Sequence, residues 1–138
     1  MVDAKKKRVL VVDDEPRIGN VLRIKFGLSG YDAITTTSGA EAIELVKTTE
    51  PDVILLDMLM PDVNGMDVLK RVRSFLQVPI VVFTGLPEIA QSALNLGAND
   101  YITKPFNPDS LVDKIRLVLN TNQSLKGQHA VEEENPSC

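Results

Sequence analysis

Four short apolar runs, each ending in a polar or charged residue, constrain this chain more than any other feature. Val9-Leu10-Val11-Val12 ends in Asp13-Asp14, Val53-Ile54-Leu55-Leu56 in Asp57, Ile80-Val81-Val82-Phe83 in Thr84, and Tyr101-Ile102-Thr103 in Lys104-Pro105. Continuous apolar runs of this length read as strands buried on both faces of a parallel sheet. Parallel strands bring their C-termini to one edge, so residues far apart in sequence meet there. That edge is where open α/β sheets hold their ligands.

The segments between the runs have helical spacing. Glu15-Pro16 opens the first helix, with proline in the first turn where its missing N–H costs little, and Ile18, Val21, Leu22 and Phe26 give it an apolar stripe. Gly27 and Gly30 close it, and residues 31–36 form a second strand. Ser38 and Glu41 form a capping box for a helix that buries Ala42, Leu45 and Val46 and stops at Pro51. A turn-rich loop from Pro61 to Gly65 leads to a helix with Val68, Leu69, Val72 and Leu76 on one face. A shorter helix lies near 87–96 and ends at Gly97. Pro108-Asp109 opens the last helix, carried by Leu111, Ile115, Val118 and Leu119. Five strand–helix units with right-handed crossovers give a doubly wound α/β sandwich, (βα)5, with helices on both faces. Residues 1–7 read as a flexible lead-in, 8–120 as the domain, and 121–138 as a disordered polar tail carrying Glu132-Glu133-Glu134.

Composition excludes several classes. A length of 138 residues fits one domain, and a net charge of -4 gives no support for a surface that binds nucleic acid directly. Lys5-Lys6-Lys7-Arg8 reads as a solvated approach to the first strand. Cys138 is the only cysteine, so neither an internal disulfide nor a cysteine metal cage can form, which fits a reducing cytosol. No apolar run reaches the roughly 18 residues of a membrane helix, and the basic residues at the N-terminus have no apolar segment behind them, so they do not read as a signal peptide.

Asp13, Asp14 and Asp57 are therefore expected to meet at the sheet edge. Three adjacent carboxylates repel one another, which raises their pKa values or calls for a cation. Their formal charge of -3 is balanced by one divalent ion plus Lys104. All-oxygen ligation suits Mg²⁺, with Mn²⁺ as a substitute. A metal, a lysine and a threonine hydroxyl around one carboxylate are the parts phosphoryl transfer needs. Aspartate often ends a strand for no further reason, and for any single residue that reading wins. It weakens when three separate strands place complementary groups at one edge.

The chain resembles the receiver domain of two-component response regulators, the CheY-like family, over about residues 7–120. The resemblance rests on Val11-Val12-Asp13-Asp14-Glu15, on Asp57-Met58-Leu59-Met60-Pro61 running to Gly65, on Phe83-Thr84-Gly85, and on Asp100-Tyr101-Ile102-Thr103-Lys104-Pro105-Phe106. It implies a flavodoxin-like sheet of order 2-1-3-4-5 and a phosphorylation-dependent, cytoplasmic signalling switch that is not a turnover enzyme. Asp57 would accept the phosphoryl group from a sensor histidine kinase. Asp13, Asp14, Asp57 and the Leu59 backbone carbonyl would hold Mg²⁺. Thr84 and Lys104 would contact the phosphoryl group, Tyr101 would be the switch aromatic, and Lys104-Pro105 would be cis. The output would pass to an effector protein or a fused output domain, with a homodimer through the fourth helix, fifth strand and last helix as one outcome.

Two departures stand out. From Thr84 to Gly97 is about two residues shorter than the family pattern. Leu59 and Leu86, two positions beyond Asp57 and Thr84, are apolar where the family orients an attacking water, which implies slow self-dephosphorylation. The only histidine, His129, lies in the tail and cannot serve as the chain's own phosphodonor. That tail is too short for a helix-turn-helix unit, and its character tilts the expectation towards a stand-alone chain. Three rivals stay open. A nucleotide or flavin module would want a glycine-rich turn after the first strand, which Asp14-Glu15-Pro16-Arg17 lacks. A Mg²⁺-dependent aspartyl phosphatase would carry its nucleophile on the first strand. An unphosphorylated interaction module would be expected to have lost an acid or the lysine.

Overall fold

A computed structural model describes residues 6–60 and 63–127; residues 1–5, Pro61 and Asp62, and 128–138, with His129 and Cys138, lie outside the described residues. The elements alternate: β1 (Arg8–Val12), α1 (Pro16–Leu28), β2 (Asp32–Thr36), α2 (Gly39–Thr49), β3 (Val53–Asp57), α3 (Gly65–Arg73), β4 (Ile80–Thr84), α4 (Pro87–Asn95), β5 (Asp100–Thr103) and α5 (Pro108–Gly127). All five strands pair in parallel in the order β2-β1-β3-β4-β5. This is the doubly wound, flavodoxin-like sheet expected from the strand pattern and the resemblance.

The continuous apolar runs are explained by two cores, one on each face. Side chains alternate across a strand. Leu10, Val12, Ile54, Leu56, Ile80 and Val82 therefore face α2, α3 and α4, where they meet Ala42, Val46, Val68, Leu69, Val72 and Ala93. Val9, Val11, Val53, Leu55, Val81 and Phe83 face the other way, against Leu22 and Phe26 of α1 and Leu111, Ile115 and Leu119 of α5. The central strands β1, β3 and β4 are buried on both faces because helices cover both.

The structure corrects several expectations. The fourth run is not buried on both faces: β5 alternates, with Tyr101 and Thr103 exposed. β5 is the edge strand of the sheet, paired only with β4. Val21 is exposed and not part of the α1 stripe, whose inward positions are Gly19, Leu22 and Phe26. Leu76 falls beyond the end of α3 and is exposed. The Ser38 hydroxyl accepts the Glu41 N–H at 3.1 Å, but the Glu41 carboxylate turns to the Thr36 hydroxyl, so the box is half made. The last helix passes the boundary set at residue 120 and runs to Gly127. Nothing between Asn120 and Lys126 breaks a helix, and Gly127 is the first residue that favours an end there. Lys7 precedes β1, and its carbonyl accepts the Asp32 N–H at 2.9 Å.

Candidate functional site

Each polar residue at the sheet edge is placed by the backbone of the strand before it. Asp13 follows β1 directly, and its N–H donates to the Thr36 carbonyl at 3.1 Å, which ties it to the end of β2. Asp57 is the last residue of β3 and stands opposite Phe83 of β4. Thr84 ends β4, and its carbonyl accepts the Lys104 N–H at 3.0 Å, so the residue after β5 is carried to the same edge. The Lys104–Pro105 bond is cis, as the resemblance implied.

The side chains converge as the sequence predicted. Asp13, Asp14 and Asp57 each offer a carboxylate oxygen, and these oxygens lie within 4.8 Å of one another. The Lys104 ammonium stands 3.4 Å from Asp57 Oδ1 and 3.9 Å from Asp13 Oδ2. With Glu15, Ile18, Leu59, Thr84 and Gly85 these residues line a cleft of about 380 Å³. Asp13, Asp57 and Thr84 are only 2%, 3% and 1% exposed, whereas Asp14 is exposed at the rim. Asp13 Oδ1 accepts the Glu15 N–H at 2.8 Å and Asp57 Oδ1 the Leu59 N–H at 3.2 Å. Tyr101 stands outside the cleft, 40% exposed.

Burial works against ionisation here. Loss of water pushes the Asp13 carboxyl up to about 6, only partly opposed by the Glu15 amide and Lys104. Burial likewise raises Asp57, against the Leu59 amide and Lys104. Asp13 Oδ2 is buried with no hydrogen-bond partner among the described residues. An unpartnered buried carboxylate oxygen is costly unless a cation completes it. Hard oxygen donors, an orphaned lone pair and a net negative cleft fit a small divalent cation.

One feature escaped the sequence reading. Lys104 Nζ sits 4.8 Å above the centre of the Phe83 ring, which is packed edge-on at 5.7 Å against Phe106. Phe83 thus forms a floor that holds the ammonium over the cleft. Its place next to Thr84 on a strand adjoining β5 was the available signal, but a buried phenylalanine reads first as core.

A doubly wound parallel sheet with an acidic, cation-ready cleft and a lysine at its C-terminal edge defines a class of α/β proteins that handle phosphoryl groups. The comparisons narrow it. A family model described as the response regulator receiver domain matches residues 9–116. The probable transcriptional regulator ycf27 of Guillardia theta is 39% identical over 127 residues, 90% of this chain and 50% of that protein. The transcriptional regulatory protein KdpE of Mycobacterium tuberculosis H37Rv is 40% identical over 116 residues, 83% of this chain and 51% of that protein. The receiver domain of the Francisella response regulator 1452 superposes with a TM-score of 0.80 at 32% identity, over 85% of this chain and 99% of that one. The chain belongs to the response regulator receiver domain family, the phosphoryl-accepting switches of two-component signalling. It spans about half the length of the curated relatives it matches. Among the described residues no helix is long and apolar enough to cross a membrane.

Proposed function

We propose that residues 8–120 form a switch that takes a phosphoryl group on Asp57 from the phosphohistidine of a sensor kinase, with Mg²⁺ held by Asp13, Asp14, Asp57 and the Leu59 carbonyl. The observation that carries this reading is the meeting of three carboxylates and one lysine in a single cleft, with a buried Asp13 oxygen left unpartnered. An Asp57 carboxylate oxygen forms the P–O bond as the P–N bond of the phosphohistidine breaks. The imidazole leaves with the electron pair and takes a proton. When bound, Mg²⁺ supplies positive charge to the phosphoryl oxygens and favours the ionised carboxylates.

The rest is the chain's own work. Lys104 is 3.4 Å from Asp57 Oδ1 and passes from pairing with that oxygen to pairing with the phosphoryl group. The Thr84 hydroxyl accepts the Leu86 N–H at 3.2 Å and keeps its own hydrogen to donate. Moving it towards the phosphate opens room for Tyr101 to turn inward. Phosphorylation adds about -2 of charge beside β4, and the response is a population shift set by the phosphate's preference for one state. The output then passes through the α4–β5–α5 face to a partner or a fused domain, or to a second copy. Incubation with acetyl phosphate tests the reading: labelling is expected with Mg²⁺ and lost when the cation is chelated. Labelling that ignores Mg²⁺ would overturn the metal assignment. A chain that never labels is an interaction module instead.

Leu59 and Leu86 are 55% and 42% exposed. Neither side chain can donate to or accept from a water approaching the phosphoryl group, which favours a long-lived phospho-state. Replacing both with glutamine is expected to shorten the lifetime by about 10-fold, less than the roughly 100-fold or more of a general base, because an amide orients a water without taking its proton. Decay of labelled protein followed by mass checks this; an unchanged lifetime contradicts it.

A further inference from the structure

We infer that Gly39, the first residue of α2, is a positioning residue for the acidic cleft, acting through Val63 and the start of α3. The inference rests on the function proposed above but concerns residues that reading does not use. A Cβ added at Gly39 would stand 2.6 Å from the Val63 carbonyl oxygen, 2.9 Å from Val63 Cβ and 3.1 Å from Val68 Cγ2. Two of these contacts are closer than packed atoms come, and the nearest is backbone, which has no rotamer to escape into. The first turn of α2 therefore bears directly on the chain entering α3.

Two residues further on, the same geometry recurs against the site. A Cβ at Gly65 would stand 2.4 Å from the Asp57 carbonyl oxygen and 2.5 Å from Met58 Cα. The Gly65 N–H donates to the Met58 carbonyl at 3.1 Å. Between the two glycines, the Asn64 side chain caps α3 by accepting the Asp67 N–H at 3.0 Å. The order of contact is α2, then Val63 to Gly65, then the C-terminal end of β3 with Asp57 and the Leu59 N–H that holds its Oδ1. At both glycines the nearest atom a Cβ would meet is a backbone carbonyl oxygen, of Val63 and of Asp57. Gly39 does not line the acidic cleft, yet it sets how closely the stack closes on Asp57 and Leu59. Groups that fix the orientation of metal ligands change affinity without touching the metal.

The test is Gly39→Ala in the full chain, read by calorimetric titration of the folded protein with Mg²⁺ as the dissociation constant. The variant is expected to fold, with the same far-ultraviolet circular dichroism, and to bind Mg²⁺ about 10-fold more weakly, at the low end for loss of such support. Gly27→Ala is the matched control: that Cβ meets nothing within 4 Å, so Mg²⁺ binding is expected to stay as in wild type. A Gly39→Ala protein that loses stability yet keeps wild-type Mg²⁺ binding overturns the inference. If Gly39→Ala does not fold, Val63→Gly, which removes the Val63 Cβ from the other side of the same contact, must weaken Mg²⁺ binding in its place; unchanged binding overturns it equally. A wild type that does not bind Mg²⁺ at all refutes the proposed function instead, so the two failures are distinct.

Discussion

Asp13 is held by forces that oppose one another. Its Oδ1 accepts the Glu15 N–H, its Oδ2 is buried without a hydrogen bond among the described residues, and Lys104 stands 3.9 Å from that second oxygen. The unfolded carboxyl ionises near 3.8 and the folded one near 6. The native chain therefore binds the extra proton, and ionising Asp13 costs stability. The cost is absent below the unfolded value, grows as pH rises through the interval and is constant above it. Asp13→Asn removes it, so in chelator the variant is expected to be more stable than wild type by roughly 1–3 kcal/mol at pH 7 and little changed at pH 4. Urea unfolding at the two pH values checks this. An equal gain at both would mean that Asp13 is not the titrating group. Mg²⁺ should reverse the ranking by stabilising wild type more.

At the scale of elements, helix ends do the placing. The Ser38 hydroxyl caps α2 through the Glu41 N–H, and α2 begins one residue later with the glycine that bears on Val63. Ser38→Ala is expected to cost about 1 kcal/mol of stability, read as a lower urea midpoint. Most of this level is legible in sequence because caps and breakers are local. Ser38, Asn64, Pro16, Pro87 and Pro108 mark helix starts without any tertiary knowledge. What was not legible depends on neighbours. Val21 fits the period of α1 but faces away from the sheet, and β5 reads as apolar although alternate side chains of this edge strand are exposed. The Glu41 carboxylate chose Thr36 over the helix end because β2 delivers that hydroxyl from another element.

Across the whole molecule, the chemistry was readable because parallel strands turn sequence positions into a place. Asp13, Asp57, Thr84 and Lys104 are far apart in the chain, yet each follows an apolar run, and one parallel sheet gathers the ends of all such runs. What the sequence could not supply were contacts between backbones, such as Gly39 on Val63, and the ring of Phe83 beneath Lys104. Neither has a periodic or motif signal. The shared edge is also why the central claim is concentrated in one atom group. Intact-mass measurement and peptide mapping after exposure to acetyl phosphate and Mg²⁺ test it most directly. Wild type is expected to gain one phosphoryl group on the peptide containing Asp57, and Asp57→Asn to gain none while remaining folded; an Asp57→Asn protein that labels like wild type would contradict the account.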